Sequence, residues 1–316
     1  RELRDLQALV HPDRCGGDQT AWDRLAALVQ LDRPQSPSAP ADFEPLELKY
    51  GPRRYILTKL LARGDVADIY ETEHEVPAVA KVAGSPADRD LLDAEAHALG
   101  AIHGDAALAG LRRLVPQVFA SFDIKTPTGR RRVNVLPRAA AMVTLAEIRA
   151  AFPAGLDYRD AVWMIRRLLG ALGLAHTRGY VHGAVTPEHV MVRLADHGAM
   201  LVGWGCAVET GKPARALVPK YRDWFAPEVA AKRPLTPATD IYAAGRCFAY
   251  LLGADGLSMP AAVPREVRAF AHACCLDNPA RRPAAAWDLH DDLGKIMEGL
   301  VGAPKFRVLA MPPTPT

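Results

Sequence analysis

Val76-Pro77-Ala78-Val79-Ala80-Lys81-Val82, followed over residues 87–102 by Leu91, Leu92, Glu95, Leu99 and Ile102 near one helical face, sets a strand directly before an amphipathic helix. Toward the N terminus, Tyr55-Ile56-Leu57-Thr58-Lys59-Leu60-Leu61 and Asp68-Ile69-Tyr70-Glu71-Thr72-Glu73 have the β-branched and aromatic content of two earlier strands, so the three form an antiparallel meander. Toward the C terminus, Arg130-Arg131-Arg132-Val133-Asn134-Val135-Leu136 is a further strand. After Thr144 the helical period dominates: the longest helix is expected from about 158 to 178, with short strands after it at 190–193 and 199–202. The order predicts an α+β, bilobal chain, with a small antiparallel-sheet N-lobe over 46–138, a helical C-lobe over 139–302 and a tail over 303–316.

Arg33-Pro34-Gln35-Ser36-Pro37-Ser38-Ala39-Pro40-Ala41 replaces every periodic pattern with residues that favour an extended, solvated backbone, which marks a linker over 34–45. Before it, Leu3, Leu6, Leu9 and Val10 recur at helical spacing, as do Trp22, Leu25, Leu28 and Val29. Between these two short helices, Pro12 and the glycines of His11-Pro12-Asp13-Arg14-Cys15-Gly16-Gly17-Asp18 prevent helix continuation, so residues 1–33 are expected to form a helical hairpin.

A chain of 316 residues and 34.2 kDa has room for about two domains with cores of their own. Its 49% apolar and 24% charged residues exclude wholesale disorder and fibrous or coiled-coil architectures. No apolar run approaches the roughly 18 residues of a membrane helix, and the expectation is a soluble, cytoplasmic protein with no membrane partner. Arg1 in place of Met leaves an upstream targeting segment open. A net charge of +3 is too small to specify nucleic acid. Cys15, Cys206, Cys247, Cys274 and Cys275 lack zinc-site spacing, so buried thiols and no metal are expected; Cys274 and Cys275, adjacent on a helix, point different ways and make a poor disulfide.

Several motifs in these elements resemble those of the eukaryotic-type protein kinases, over residues 50 to 300. Lys81 in Ala78-Val79-Ala80-Lys81 resembles the strand lysine that holds nucleotide phosphates, and Glu95 stands where its helical ion-pair partner belongs. Phe225-Ala226-Pro227-Glu228 resembles the Ala-Pro-Glu segment, and Leu276-Asp277-Asn278-Pro279-Ala280-Arg281-Arg282-Pro283 the late arginine motif. The resemblance implies a buried, structural pair between Glu228 and Arg282. Thr239-Asp240-Ile241-Tyr242-Ala243-Ala244-Gly245 is similar to the helix whose aspartate organises the catalytic-loop backbone, a role it implies for Asp240.

The chain departs from that pattern where phosphoryl transfer needs a base, metal ligands and a glycine-rich cover. His182-Gly183-Ala184-Val185-Thr186-Pro187-Glu188-His189 stands for His-Arg-Asp-x-Lys-Pro-x-Asn, with Ala184 at the catalytic aspartate and His189 at the metal-binding asparagine. Gly203-Trp204-Gly205 stands for Asp-Phe-Gly, so the metal carboxylate is missing and no catalytic residue is intact. The cover Ala62-Arg63-Gly64-Asp65-Val66-Ala67 keeps only Gly64 of three glycines, and Asp65 would repel a triphosphate. Glu188 and Asp196 match no catalytic position and read as solvated loop acids, and His182 reads as a packed scaffold residue. The hinge falls near 136–139, where Pro137 removes a backbone donor from any adenine. Weak ATP contact through Lys81, Glu95 and Gly64, without magnesium, is the most the resemblance implies; no cofactor is required.

His11-Pro12-Asp13 between two amphipathic helices resembles the signature of the J-domain, which implies contact with a DnaK-type, ATP-hydrolysing chaperone; the helix that precedes this pair in a full J-domain is not visible. Three functions stay open: a pseudokinase-like adaptor with a protein partner, a divergent kinase or nucleotide transferase that uses Lys81, Glu95 and unmatched acids, and a co-chaperone adaptor.

Overall fold

The computed structural model describes residues 44–312 apart from 105, 128, 217, 218 and 304. The hairpin expected over 1–33, with His11, Pro12 and Asp13, and all but the last two residues of the linker lie outside the described residues.

The predicted meander is present as β2 (Arg53–Arg63), β3 (Ala67–Thr72) and β4 (Ala78–Ala83), and the later strand as β6 (Gly129–Pro137). Two further strands complete the sheet: β1 (Leu46–Tyr50) and β5 (Ala120–Thr126). The order is β1-β2-β3-β4-β6-β5, with every pairing antiparallel. Period-2 alternation gives the sheet an apolar face, on which Tyr55, Leu57, Ala80, Phe122, Val133 and Val135 form a core of their own. Although β1 and β5 are opposite edges, Tyr50 of β1 stacks on Phe122 of β5 with ring centroids 4.8 Å apart, so the sheet curls until its edges meet over that core.

The helix after β4, α1 (Arg89–His103), buries Leu91, Leu92, Ala94, Glu95, Ala98, Leu99 and Ile102, the face its spacing predicted with two alanines added. The chain then passes through β7 (Val143–Thr144) into α2 (Leu145–Ala151), where Thr144 and Glu147 exchange hydrogen bonds in a capping box. α3 (Tyr158–Thr177) is buried over most of its circumference, with Met164, Ile165, Leu168 and Leu172 in the main core. Truncating any of these to alanine should cost about 2–5 kcal/mol. After β8 (Tyr180–Val181) come the hairpin of β9 (Val190–Arg193) and β10 (Gly198–Leu201), then β11 (Val208–Glu209). The remaining helices are α4 (Pro227–Ala230), α5 (Pro237–Leu251), α6 (Arg265–Cys274) and α7 (Ala286–Val301). Cys206, Cys247, Cys274 and Cys275 are free, buried thiols. Among the described residues no helix is long and apolar enough to cross a membrane.

Candidate functional site

Lys81 lies on β4 opposite Asn134 of β6. Its Nζ donates to Glu95 Oε1 at 2.7 Å, and the Glu95 side chain is only 1% exposed. Asn134 Nδ2 donates to Glu95 Oε2 at 3.1 Å and to the Leu92 carbonyl at 2.8 Å, while its Oδ1 accepts from Ser121 Oγ at 2.7 Å. A buried carboxylate is thus held by one cation and one amide, which satisfies both oxygens. Sequence reasoning did not single out Asn134. Its signal is a fully buried amide between Val133 and Val135, which has to find partners.

Two sets of long-range contacts, one centred on Asp240 and one on Glu228, hold the segments that follow. Asp240, in the first turn of α5, accepts from the backbone N–H of His182 at 2.8 Å and of Gly183 at 2.9 Å, and His176 Nε2 donates to it at 2.9 Å. Arg282 donates from Nη1 to Glu228 Oε1 at 2.6 Å and from Nη2 to Oε2 at 2.9 Å, a two-pronged pair in the interior. Thr239 Oγ1 also donates to Glu228, and Arg282 lies over the Tyr242 ring. Burial works against the charge of Glu228, but the guanidinium holds the carboxyl below its ordinary value.

The loop from 182 to 189 keeps this anchoring without acidic side chains at the matched positions. His182 is fully buried, its Nε2 donates to the Val202 carbonyl at 3.0 Å, and Trp204 packs edge-on against its ring at 4.6 Å. Burial pulls its pKa down to about 4. Ala184 is buried and offers its carbonyl to His189, whose Nδ1 donates at 2.7 Å. Burial, with the positive field of Lys81, also lowers the His189 imidazole, so it is neutral at neutral pH.

Gly203 and His189 interlock. Gly203 has φ +82°, in the left-handed region, and a Cβ there would lie 2.5 Å from His189 Cδ2 and 2.6 Å from Nε2. The ring therefore occupies the space that any side chain at 203 would enter, so the Gly203 backbone and the His189 side chain depend on each other. Among the described residues no group of three or more His, Cys, Asp or Glu is placed to hold a metal ion.

Backbone groups of the two flanking turns are bonded within the chain. In the cover turn the Gly64 N–H donates to the Ala67 carbonyl at 3.0 Å, and a Cβ at 64 would sit 2.7 Å from that oxygen. In the hinge the Arg138 N–H donates to the Pro77 carbonyl at 2.8 Å, and just after it the N–H groups of Ala140 and Met142 donate to the carbonyls of Arg138 and Ala139 at 2.8 and 3.3 Å. Glu188 is not the solvated acid expected of it. It is partly buried and bonded to Tyr221, whose phenol is pushed up by burial, by that carboxylate and by the field of Asp65. Asp196 is an exposed acid in the β9–β10 turn, paired with Arg193.

This antiparallel sheet, with the helices that follow it, fits a protein-kinase-like fold. No protein-family model matches the chain. It is distantly homologous to mycobacterial serine/threonine protein kinases: 27% identical to serine/threonine-protein kinase PknK of Mycobacterium tuberculosis over 67% of this chain and 20% of that protein. It is 28% identical to PknD of the same species over 62% of this chain and 28% of the relative, and 26% identical to PknH of Mycobacterium bovis over 61% and 32%. The chain thus spans a fifth to a third of the length of these relatives.

Proposed function

We propose that this chain is a pseudokinase-like binding or regulatory module, a two-lobed frame over 46–138 and 139–302 that works through contact with a protein partner and does not move phosphate. The observation that carries this reading is the His189–Gly203 interlock, because a metal carboxylate at 203 and the ring at 189 exclude each other. Ala184 removes the base, and the amides at 138, 140 and 142, in and just after the hinge, are already bonded within the chain. These residues do not fit a magnesium nucleotide. Any ATP contact is weak, runs through Lys81, Glu95 and Gly64 and is indifferent to magnesium; no cofactor is required. Free buried thiols suit a reducing, cytoplasmic setting. The J-like stretch with His11, Pro12 and Asp13 would link the module to a DnaK-type chaperone.

Thermal shift with ATP, with and without magnesium, tests the reading. A ligand at a hundred times its Kd raises stability by about 2.7 kcal/mol, so a true magnesium-nucleotide site is easily seen. The expected result is a small shift that magnesium leaves unchanged. A magnesium-dependent rise favours the rival, a divergent kinase or nucleotide transferase, to which the retained Lys81–Glu95 pair lends its support. In a chaperone ATPase assay, stimulation by the parent and none by His11→Gln would support the J-like link; equal rates with and without the protein would remove it.

A further inference from the structure

The turn between β9 and β10 contains a backbone outlier. His197 has φ 55°, in the left-handed region that a residue with a Cβ keeps only where its surroundings hold it there. Four contacts do so. The ring stacks on Trp163 of α3 with centroids 3.9 Å apart, and Phe306 rests on the ring at 4.4 Å. Nε2 donates to the Arg307 carbonyl at 2.6 Å, and the His197 carbonyl accepts from Arg167 Nε of α3 at 3.0 Å. Trp163 and Arg167 belong to a buried helix, whereas Phe306 and Arg307 belong to residues 305–312, which follow α7 and form no helix or strand.

That segment is held firmly at one point and lightly along the rest. The Arg307 guanidinium donates to Asp160 Oδ2 at 3.0 Å and stands 3.5 Å from Asp157 Oδ2. The Asp160 side chain is only 3% exposed and its Oδ1 has no hydrogen-bond partner, so losing Arg307 would strip a buried carboxylate of its hydrogen-bonded cation. Leu309 and Met311 pack against the main core. Phe306 and Val308, however, are 61% and 64% exposed, and a segment with few buried contacts opens before the elements beneath it.

The turn is connected to the cleft through β10. Gly198 to Leu201 pair with Arg193 to Val190 of β9, and at the end of β10 the Val202 N–H donates to the His189 carbonyl at 2.8 Å. His189 is the residue whose ring fills the space at Gly203.

We propose that residues 305–312 are a releasable strap and that His197 is its latch, a conformational device that passes the state of the strap to the His189–Gly203 interlock. With the strap docked, Arg307 is locked on Asp160, and Phe306 and the Arg307 carbonyl help to keep His197 left-handed. With the strap released, two of the four contacts are gone, the turn relaxes toward an ordinary backbone, and the β9–β10 hairpin loosens as far as Val202. The device needs no nucleotide and does not depend on whether the cleft transfers phosphate.

Hydrogen exchange on the full chain tests it, with Arg307→Ala as the releasing variant and the amides of α5 as a measure of global unfolding. Amides of 305–312 should exchange about tenfold faster or more, the loss of one charge-assisted hydrogen bond. Amides of 198–202 should speed up with them by about threefold or more, while those of α5 stay as in the parent. If the bare Asp160 makes α5 exchange faster as well, the double variant Arg307→Ala with Asp160→Asn replaces it, since it releases the strap without leaving a buried charge. The latch is tested by His197→Gly, which accepts a left-handed backbone without a ring to clamp. In that background the releasing variant should still free 305–312 but leave 198–202 unchanged. Strap amides that do not speed up overturn the lock at Arg307. Strap amides that speed up alone, or a hairpin that responds equally with His197→Gly, overturn the coupling through His197.

Discussion

The loop from His182 to His189 and the framework of Glu228, Asp240 and Arg282 meet through hydrogen bonds, yet they differ in what has been retained. Asp240 grips the backbone N–H of His182 and of Gly183, one residue before Ala184. Those bonds are indifferent to the side chain at 184, and the Glu228–Arg282 pair makes no use of a nucleotide. The framework therefore holds the loop in shape whatever side chain stands at 184. At 189 and 203 the fit is tighter, since the ring fills the space that a side chain at 203 would enter and neither position can change alone. The framework thus places no demand on the side chain at 184, whereas the fit at 189 and 203 ties two side-chain positions together.

The largest expected effect breaks the framework. Arg282→Ala leaves Glu228 buried with its main cation gone, a cost of about 3–5 kcal/mol. Urea denaturation should show the helical part unfolding early; a midpoint equal to the parent's would mean that the pair does not hold the frame. In the parent the depressed Glu228 carboxyl contributes stability above its unfolded value near 4.5 that is lost as pH falls through its lower folded value, and Arg282→Ala should lose that acid limb.

Next in size is the pH dependence of the loop. With His182 at about 4 when folded against 6.5 unfolded, the unfolded state binds a proton that the native state refuses, so stability falls as pH drops across that window. The total is about 3 kcal/mol, and His189, lowered in the same direction, adds to the slope. Denaturation midpoints measured from pH 7 to pH 4 should fall steeply in the parent and less in His182→Gln, whatever that variant's overall stability; parallel curves would remove His182 as the source.

The smallest effect sharpens the contrast at the interlock. Gly203→Asp should cost about 1–3 kcal/mol through the clash with the ring and the left-handed backbone. Adding His189→Asn should recover part of this, a coupling of about 0.5–3 kcal/mol in a double-mutant cycle. Additive costs would show that the two positions do not share space.

Local periodicity made much of this architecture readable. The β2–β3–β4 meander and α1 follow from alternation and helical spacing, and the same two periods put Lys81 and Glu95 on facing surfaces. β1 escaped because it is an edge strand in which only Leu48 is buried. β5 alternates Ala120, Phe122 and Ile124 with Ser121, Asp123 and Lys125, a strand signal that the leucine- and arginine-rich stretch before it obscured. The bond from Tyr221 to Glu188 and the space shared by His189 and Gly203 join segments that no sequence period connects, so the sequence showed the substitutions but not their interlock. Arg307 reaching Asp160 across 147 positions is of the same kind.

The most direct test of the central claim is incorporation of label from γ-labelled ATP into the chain itself and into generic protein substrates, with magnesium or manganese, run beside Lys81→Ala. General-base catalysis alone is commonly worth about 10²–10⁴ in rate, and the metal-centred electrostatics more. With Ala184, His189 and Gly203 at three of the positions that, on the kinase resemblance, would supply them, no incorporation above background is expected in either protein. Label that enters the parent and disappears in Lys81→Ala would contradict it.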